Sequence, residues 1–552
     1  MRRALKVACL LVLGACSADI SSSDALGGGN GPASEGSEGT EGGGGGANVV
    51  CETAELGPAL LRRLTRAQLD RTLRRTFGAL LDGWDGPKLG QDPVSETGFT
   101  TNAELLTVGE QTARELLGTA EDVAERLTSA ERVGQLAACA GAALDRGCVE
   151  AVLTEYAPRL FRRPVQASEL EPYLTHFDSV AAQSDANTGL RWTLVALLQS
   201  PHALYRFELG EPDGAERALG AHEIASVLSY AFTGGPPDDI LLAAADAGTL
   251  ADAEERVAQA QRMIATPQGQ AALHTFFEEW LRYRLVEGAV KNDAPGFDSL
   301  RLSMAEETRR FIEQVVLTDE GGVSSLLTAS YTVLDAELAS FYGYGTPSAG
   351  FEQVERPPEY GVGLLSQGSL LAGNAHVDSS SPTLRGLLVY EKFFCNPRPL
   401  PPPNIPSIEP PELGVVTTRE RYEQAHAPEP ACQGCHAQFD PIGFSLEHFD
   451  AAGRYRADEG GLTIDATGDV DIPGVAKPVA VDGITELAEA LADAPAVASC
   501  VGNLLVERSF GVSERPGCLA PEVGHALVEG QSFLAAFARL AASPHVVVRS
   551  AQ

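Results

Sequence analysis

The run Cys432-Gln433-Gly434-Cys435-His436 constrains this chain more than any other feature. Two thiols three positions apart fall within one short turn, and an imidazole follows directly. Covalent attachment of a c-type haem requires that spacing: two thioethers to the two vinyl groups, and a histidine placed beneath the iron. With only ten Cys and ten His in 552 residues, a chance match is rare. Three other readings use the same residues. A redox Cys-x-x-Cys needs no histidine. A zinc site needs at least one more ligand, and neighbouring Cys435 and His436 chelate poorly. The third is a structural Cys432–Cys435 disulfide or a pair of unmodified thiols.

With haem, Cys432 and Cys435 attach the group and His436 is the proximal iron ligand. Methionine, a common distal ligand, is scarce. Apart from Met1 there are only Met263 and Met304, both far upstream in helical segments. Bis-histidine ligation or an open site is therefore expected, with a low-to-middling potential. His426, His448 and His376 are the nearby histidines. His448 is taken as the distal candidate, against a plain packing role for the same side chain.

The N-terminus indicates export. Arg2, Arg3 and Lys6 precede the apolar run Val7–Leu13 and small residues, as in a secretory signal. The run is too short to span a bilayer, which takes roughly 20 residues. Leu13-Gly14-Ala15-Cys16 resembles the bacterial lipobox, which implies cleavage before Cys16 and lipidation of its thiol. Ser17, where an Asp would retain the protein at the inner membrane, resembles an outer-membrane sorting signal. Residues 16–50 are Gly/Ser/Glu-rich, include Gly42–Gly46, and read as a flexible tether. The expected location is the cell envelope, as an outer-membrane lipoprotein facing the periplasm or the surface. A formal charge of −34 argues against nucleic acid as a partner, and cleavage of the basic signal makes the chain more acidic still.

After Cys51 helical periodicity dominates, so the expected fold class is mainly α: several helical modules, a cytochrome-c-like haem-binding segment near the C-terminus, and a few short β-hairpins. Thr65-Arg66-Ala67-Gln68 fits a capping box, with Leu69, Leu73 and Phe77 on one face and Gly78 as a stop. Ser168-Glu169-Leu170-Glu171 reads as another cap. Thr266-Pro267 reads as N-cap plus first-turn proline of a helix carrying Phe276, Phe277, Trp280 and Tyr283. Ile484–Phe510 suits one or two helices. Thr463–Val470 and Pro478–Val481 are expected to form small hairpins. Cys395–Pro411 is too Pro-rich for helix and reads as an extended arm.

The block Cys432–Arg456, CQGCHAQFDPIGFSLEHFDAAGRYR, closely resembles part of a multi-module secreted family with cytochrome-c-like haem motifs. Its modules are known as domains of unknown function 1587, 1595, 1592, 1588 and 1585. Leu61–Arg66 looks like the first module, Arg159–Pro164 the second, and Gln199–His202 the approach to the third. Gly361–Arg385 with Phe394-Cys395 looks like the fourth, and Val470–Cys518 the fifth. The resemblance divides the chain into a signal (1–15), tether (16–50), and modules at 51–135, 136–212, 213–350, 351–460 and 461–552. It implies an exported, helical, haem-carrying protein with no established reaction. Many members of the family have Met before the Asp-Pro pair; Phe439 stands there in this chain. Asp440, Glu447, Asp450, Arg454 and Arg456 are read as folding the loop around the haem through caps and salt bridges, not as catalytic groups.

Six cysteines remain for bridging in an oxidising compartment. Cys139–Cys148 is the first expected pair, Cys500–Cys518 the second, and Cys51–Cys395 follows by elimination. Asp465–Asp471 alternates oxygen ligands but lacks the Gly and Glu of an EF-hand loop, so a solvated turn is expected. No nucleophile elbow surrounds Ser379–Ser381, and no catalytic constellation is visible. The leading expectation is a lipid-anchored c-type cytochrome-like protein with one covalent haem c, passing electrons to an unidentified redox partner protein. The alternatives are a non-redox scaffolding lipoprotein with a Cys432–Cys435 disulfide, and a haem-dependent extracellular oxidoreductase.

Overall fold

The computed structural model describes residues 57–141, 144–292, 294–345, 347, 350–399, 416–426, 430–511 and 520–550. The signal, Cys16, the tether, Cys51, Cys518, the proline arm from residue 400 and the side chain of His426 lie outside the described residues.

Local signals act where they were read. Thr65 caps helix Arg66–Phe77: its hydroxyl accepts from Gln68 N, Gln68 answers to the Thr65 backbone, and Gly78 ends the helix at φ 52°. Thr266 caps helix Pro267–Leu281, and Tyr283 falls in the 3-10 turn that follows. Ile484–Phe510 is two helices, Gly483–Ala492 and Pro495–Phe510. Two readings shift. The cap near Ser168 belongs to Gln166, whose backbone N–H bonds Glu169, so Ser168 sits inside helix Ala167–Gln183. The later hairpin pairs Thr467–Val470 with Val479–Asp482, while Leu462–Thr463 pairs back onto Asp458–Glu459.

The chain is mainly helical; among the described residues the strands are short and antiparallel, in four pairs and one three-stranded sheet. Two apolar cores organise it. One gathers Leu64 to Leu204 with Tyr230, so the first two expected modules share a single interior. The other runs from Phe99 and Leu219 to Val546 and takes in the remaining three. Met263 and Met304 lie in this second core, 1 % and 0 % exposed, and serve as packing. Cys51–Gln552 forms one compact unit. No single described helix is long and apolar enough to cross a membrane.

Three distant segments close the unit. Leu60–Arg63 pairs with Tyr205–Glu208, Glu216–Ala218 pairs with Val548–Ser550, and Ser550 N donates to Gly57 O at 3.0 Å. At their junction the Glu208 carboxylate, 1 % exposed, bonds Arg62 Nε at 3.0 Å together with Arg206 and Arg549. Burial alone would raise its pKa; the three guanidiniums overrule this and hold it well below the carboxylate range.

Two disulfides are formed among the described residues. Cys139 bonds Cys148, the pair expected from their spacing. Cys500 bonds Cys395, not Cys518, with Cα atoms 5.4 Å apart. The expected Cys500–Cys518 pair, and with it Cys51–Cys395, is therefore corrected. The reason is packing. Helix Pro495–Phe510 lies against the end of helix Pro382–Lys392, placing Cys500 Sγ 3.5 Å from Lys392 O, and a left-handed turn at Cys395 aims its thiol there.

Glu208→Gln should destabilise the fold by about 3–5 kcal/mol, because three buried guanidiniums lose their counter-charge. Since the folded pKa is depressed, the wild-type contribution is complete above the unfolded value of roughly 4.3 and is lost as pH falls through the lower folded one. Urea unfolding of both forms at pH 7 and pH 3 should show the gap narrowed but still present at pH 3.

Candidate functional site

The thiol run forms helix Pro430–His436, followed by helix Asp440–Phe444. Both are positioned by helix Pro382–Lys392, whose N-cap Ser381 accepts from Leu384 N and whose first residue is proline. Backbones touch here. A Cβ on Gly386 would sit 1.9 Å from Phe439 O, and one on Gly443 1.9 Å from Pro382 O. Neither position tolerates a side chain.

The loop after Phe444 is held from inside. Arg385, 0 % exposed, donates to the carbonyls of Leu446 (3.0 Å), Phe449 (2.7 Å), Asp450 (2.6 Å) and Leu371 (3.3 Å). Glu447 accepts from Ser380 at 2.8 Å and Arg456 at 3.0 Å; burial raises its pKa against the pull of Arg385 and Arg456. Asp450 accepts from Arg454 at 2.8 Å and from the backbone of Ala452 and Arg454. These four residues fold the loop, as read from the sequence.

Asp440 does more. It is 5 % exposed; its Oδ2 is 3.0 Å from His436 Nδ1 and its Oδ1 accepts from Thr383 at 2.7 Å. A carboxylate only accepts, so Nδ1 bears the proton it donates, and in the neutral ring Nε2 is the nitrogen left to act as a ligand. The ring also leans on buried Phe439, centroids 5.1 Å apart. Cys432 and Cys435 are half-buried free thiols, unlike the four paired cysteines described above. Two free thiols on one turn and an imidazole oriented through Nδ1 are the donor set a c-type haem requires, so the residues fit that group.

His448 does not join this cluster. Its Nδ1 lies 3.0 Å from Arg456 O and its ring stacks on Tyr455, with no described contact to His436 or either thiol. His376 Nε2 contacts Tyr422 OH at 3.1 Å, which contacts Ser381 Oγ at 3.1 Å. Among the described residues no group of three His, Cys, Asp or Glu side chains forms a metal site. Asp465 binds Thr467 N and Oγ and pairs with Arg419, as a solvated turn does. Sequence reasoning missed Thr383 and Tyr422. Ser381-Pro382 was a readable helix start, and it would have placed Thr383 in the first turn.

Gly386→Ala or Gly443→Ala should cost roughly 1–3 kcal/mol through overpacking and loosen the thiol turn. Thermal melts and faster alkylation of Cys432 and Cys435 would record this; unchanged values in both would contradict the contact.

Four family models match in chain order. Each is described as a protein of unknown function: DUF1587 (PSD3) over 62–129, DUF1595 (PSD5) over 148–208, DUF1592 (PSD4) over 219–344 and DUF1588 (PSCyt3) over 362–459. No curated protein and no solved structure matches the chain. The matches follow the order expected for the first four sequence blocks, and the last spans the thiol run, His436 and Asp440. The chain therefore belongs to the multi-module family built from these domains of unknown function.

Proposed function

We propose that this protein is an exported, lipid-anchored c-type cytochrome-like protein that carries one haem c and transfers electrons in the cell envelope. The observation that carries the reading is the pairing of two open thiols, Cys432 and Cys435, with His436 oriented by buried Asp440. The label PSCyt3 on the matching family model gives coarser support for cytochrome-like character. When bound, the haem supplies the one-electron chemistry. The chain's own part is attachment through Cys432 and Cys435, ligation through His436 Nε2, and orientation of that ring by Asp440 and Thr383. Phe439, Tyr390 and Ile442 supply apolar surface beside it. Lipidation at Cys16 and the tether would hold the folded part at the outer membrane.

The free thiols weigh against the scaffolding alternative, which needs a Cys432–Cys435 disulfide. Asp440 bears on the potential. A carboxylate accepting from the distant ring nitrogen makes the ligating nitrogen more basic and favours the ferric state.

The test is expression with cytochrome c maturation machinery, followed by a pyridine haemochrome spectrum and an intact mass. One thioether-linked haem is expected in the wild type and none of normal type in Cys435→Ser; absence from the wild type refutes the reading. In haem-loaded protein, Asp440→Asn should raise the midpoint potential by on the order of tens of millivolts while the haemochrome spectrum stays unchanged. Potentiometric titration measures this.

A further inference from the structure

A cavity of about 550 Å³ lies where helix Arg66–Phe77 faces helix Pro267–Leu281 and the end of helix Pro495–Phe510. A second, of about 350 Å³, shares Arg71 and Arg74 with it and opens toward Thr233–Asp238. None of the lining residues comes from the thiol block, and electron transfer at His436 gives these cavities no role.

Arg71 stands between the two. Its Nη1 donates to Gly234 O at 3.3 Å. Gly234 closes helix Ala221–Thr233 at φ 63°, and a Cβ there would meet Arg71 Nη1 at 2.2 Å. The glycine thus admits the guanidinium between modules, and Arg71 caps that helix's carbonyl end. Capping uses one of five donors. Among the described residues, no carboxylate lies within ion-pair distance of Arg71.

The acids around it are already engaged. Asp70 holds Arg74 Nε with both oxygens at 3.0 Å, and Asp92 holds Arg63 at 2.9 Å and Arg66 N at 2.6 Å. Glu279 takes Arg508 and Thr100, each at 2.6 Å, and Asp238 takes Arg262 by both oxygens at 2.7 and 3.0 Å. Asp85 stands exposed at the rim. Arg508 lines the opposite wall, and its like charge adds to burial in lowering the Arg71 pKa. Glu279 pairs with Arg508, and its charge and that of Asp70 also reach Arg71, yet neither closes an ion pair with Arg71. An oxyanion would accept the remaining N–H groups of Arg71 in fork geometry, which a ligand without acceptor oxygens cannot do. Thr101, Thr275 and Gln91 line the same space with hydrogen-bonding groups for a polar body.

We propose that this inter-module cavity is a binding site for a small polar ligand carrying an oxyanion, its charged group seated between Arg71 and Arg508. The volume falls in the range of small-ligand sites, roughly 300–1,000 Å³. In a chain of formal charge −34, an anion is drawn here by local geometry, against the field of the whole protein.

The test uses the full chain and isothermal titration at fixed ionic strength with inorganic phosphate, sulfate, glucuronate and, as neutral control, glucose. Saturable one-site binding of at least one anion, and none of glucose, is expected. The binding anion distinguishes a phosphate or sulfate ester from a sugar carboxylate. Arg71→Gln should weaken binding at least tenfold. Because that change also removes a helix cap, Thr275→Glu serves as the second variant. It places a carboxylate in the cavity, leaves the Arg71–Gly234 bond in place, and should weaken binding as much. No anion binding above a chloride background, or binding that survives both variants, overturns the site. Haem content is read in parallel and should not change in either variant.

Discussion

Everything downstream rests on one buried carboxylate. Glu208 draws Arg62, Arg206 and Arg549 together, and those residues come from the start, the middle and the end of the folded chain. Three cations in an apolar setting repel one another, and only a central anion makes their meeting favourable. With this clasp closed, the strand pairs Leu60–Arg63 with Tyr205–Glu208 and Glu216–Ala218 with Val548–Ser550 can form. The two apolar cores are then locked into one body rather than strung as independent modules.

Within that body the thiol turn is fixed by backbone proximity. Gly386 and Gly443 let two helices meet without side chains between them, and Arg385 gathers the carbonyls of the following loop. The result is a stiff support for a short helix of modest intrinsic stability. Helix Pro430–His436 has seven residues, too few to be stable alone. Its order is supplied by neighbours, and the His436–Asp440–Thr383 chain carries that order to the imidazole.

The legible parts were those whose causes lie within a few residues. The Thr65–Gln68 capping box, the Gly78 stop and the Thr266-Pro267 start are local chemistry, and they act where expected. The loop roles of Glu447, Asp450, Arg454 and Arg456 were readable because caps and turns have short spacing. The illegible parts depend on segments meeting across long stretches of chain. Spacing favoured Cys518 as partner of Cys500, yet helix packing delivers Cys395. Nothing near Asp440 announces that Thr383 will donate to it, and nothing near Arg71 announces Gly234.

The Cys395–Cys500 bridge encloses the thiol run, because Cys432 and Cys435 lie inside the loop it closes. Four sulfurs therefore share one stretch of chain during oxidation. Four cysteines allow three complete pairings, and only one of these contains the observed bridge. That same pairing also joins Cys432 to Cys435 unless they are kept apart. The chain thus carries a sorting problem in its own topology. For the haem attachment proposed above, the outer pair must be oxidised and the inner pair spared, so the order in which these four sulfurs react decides whether the chain can take up the group.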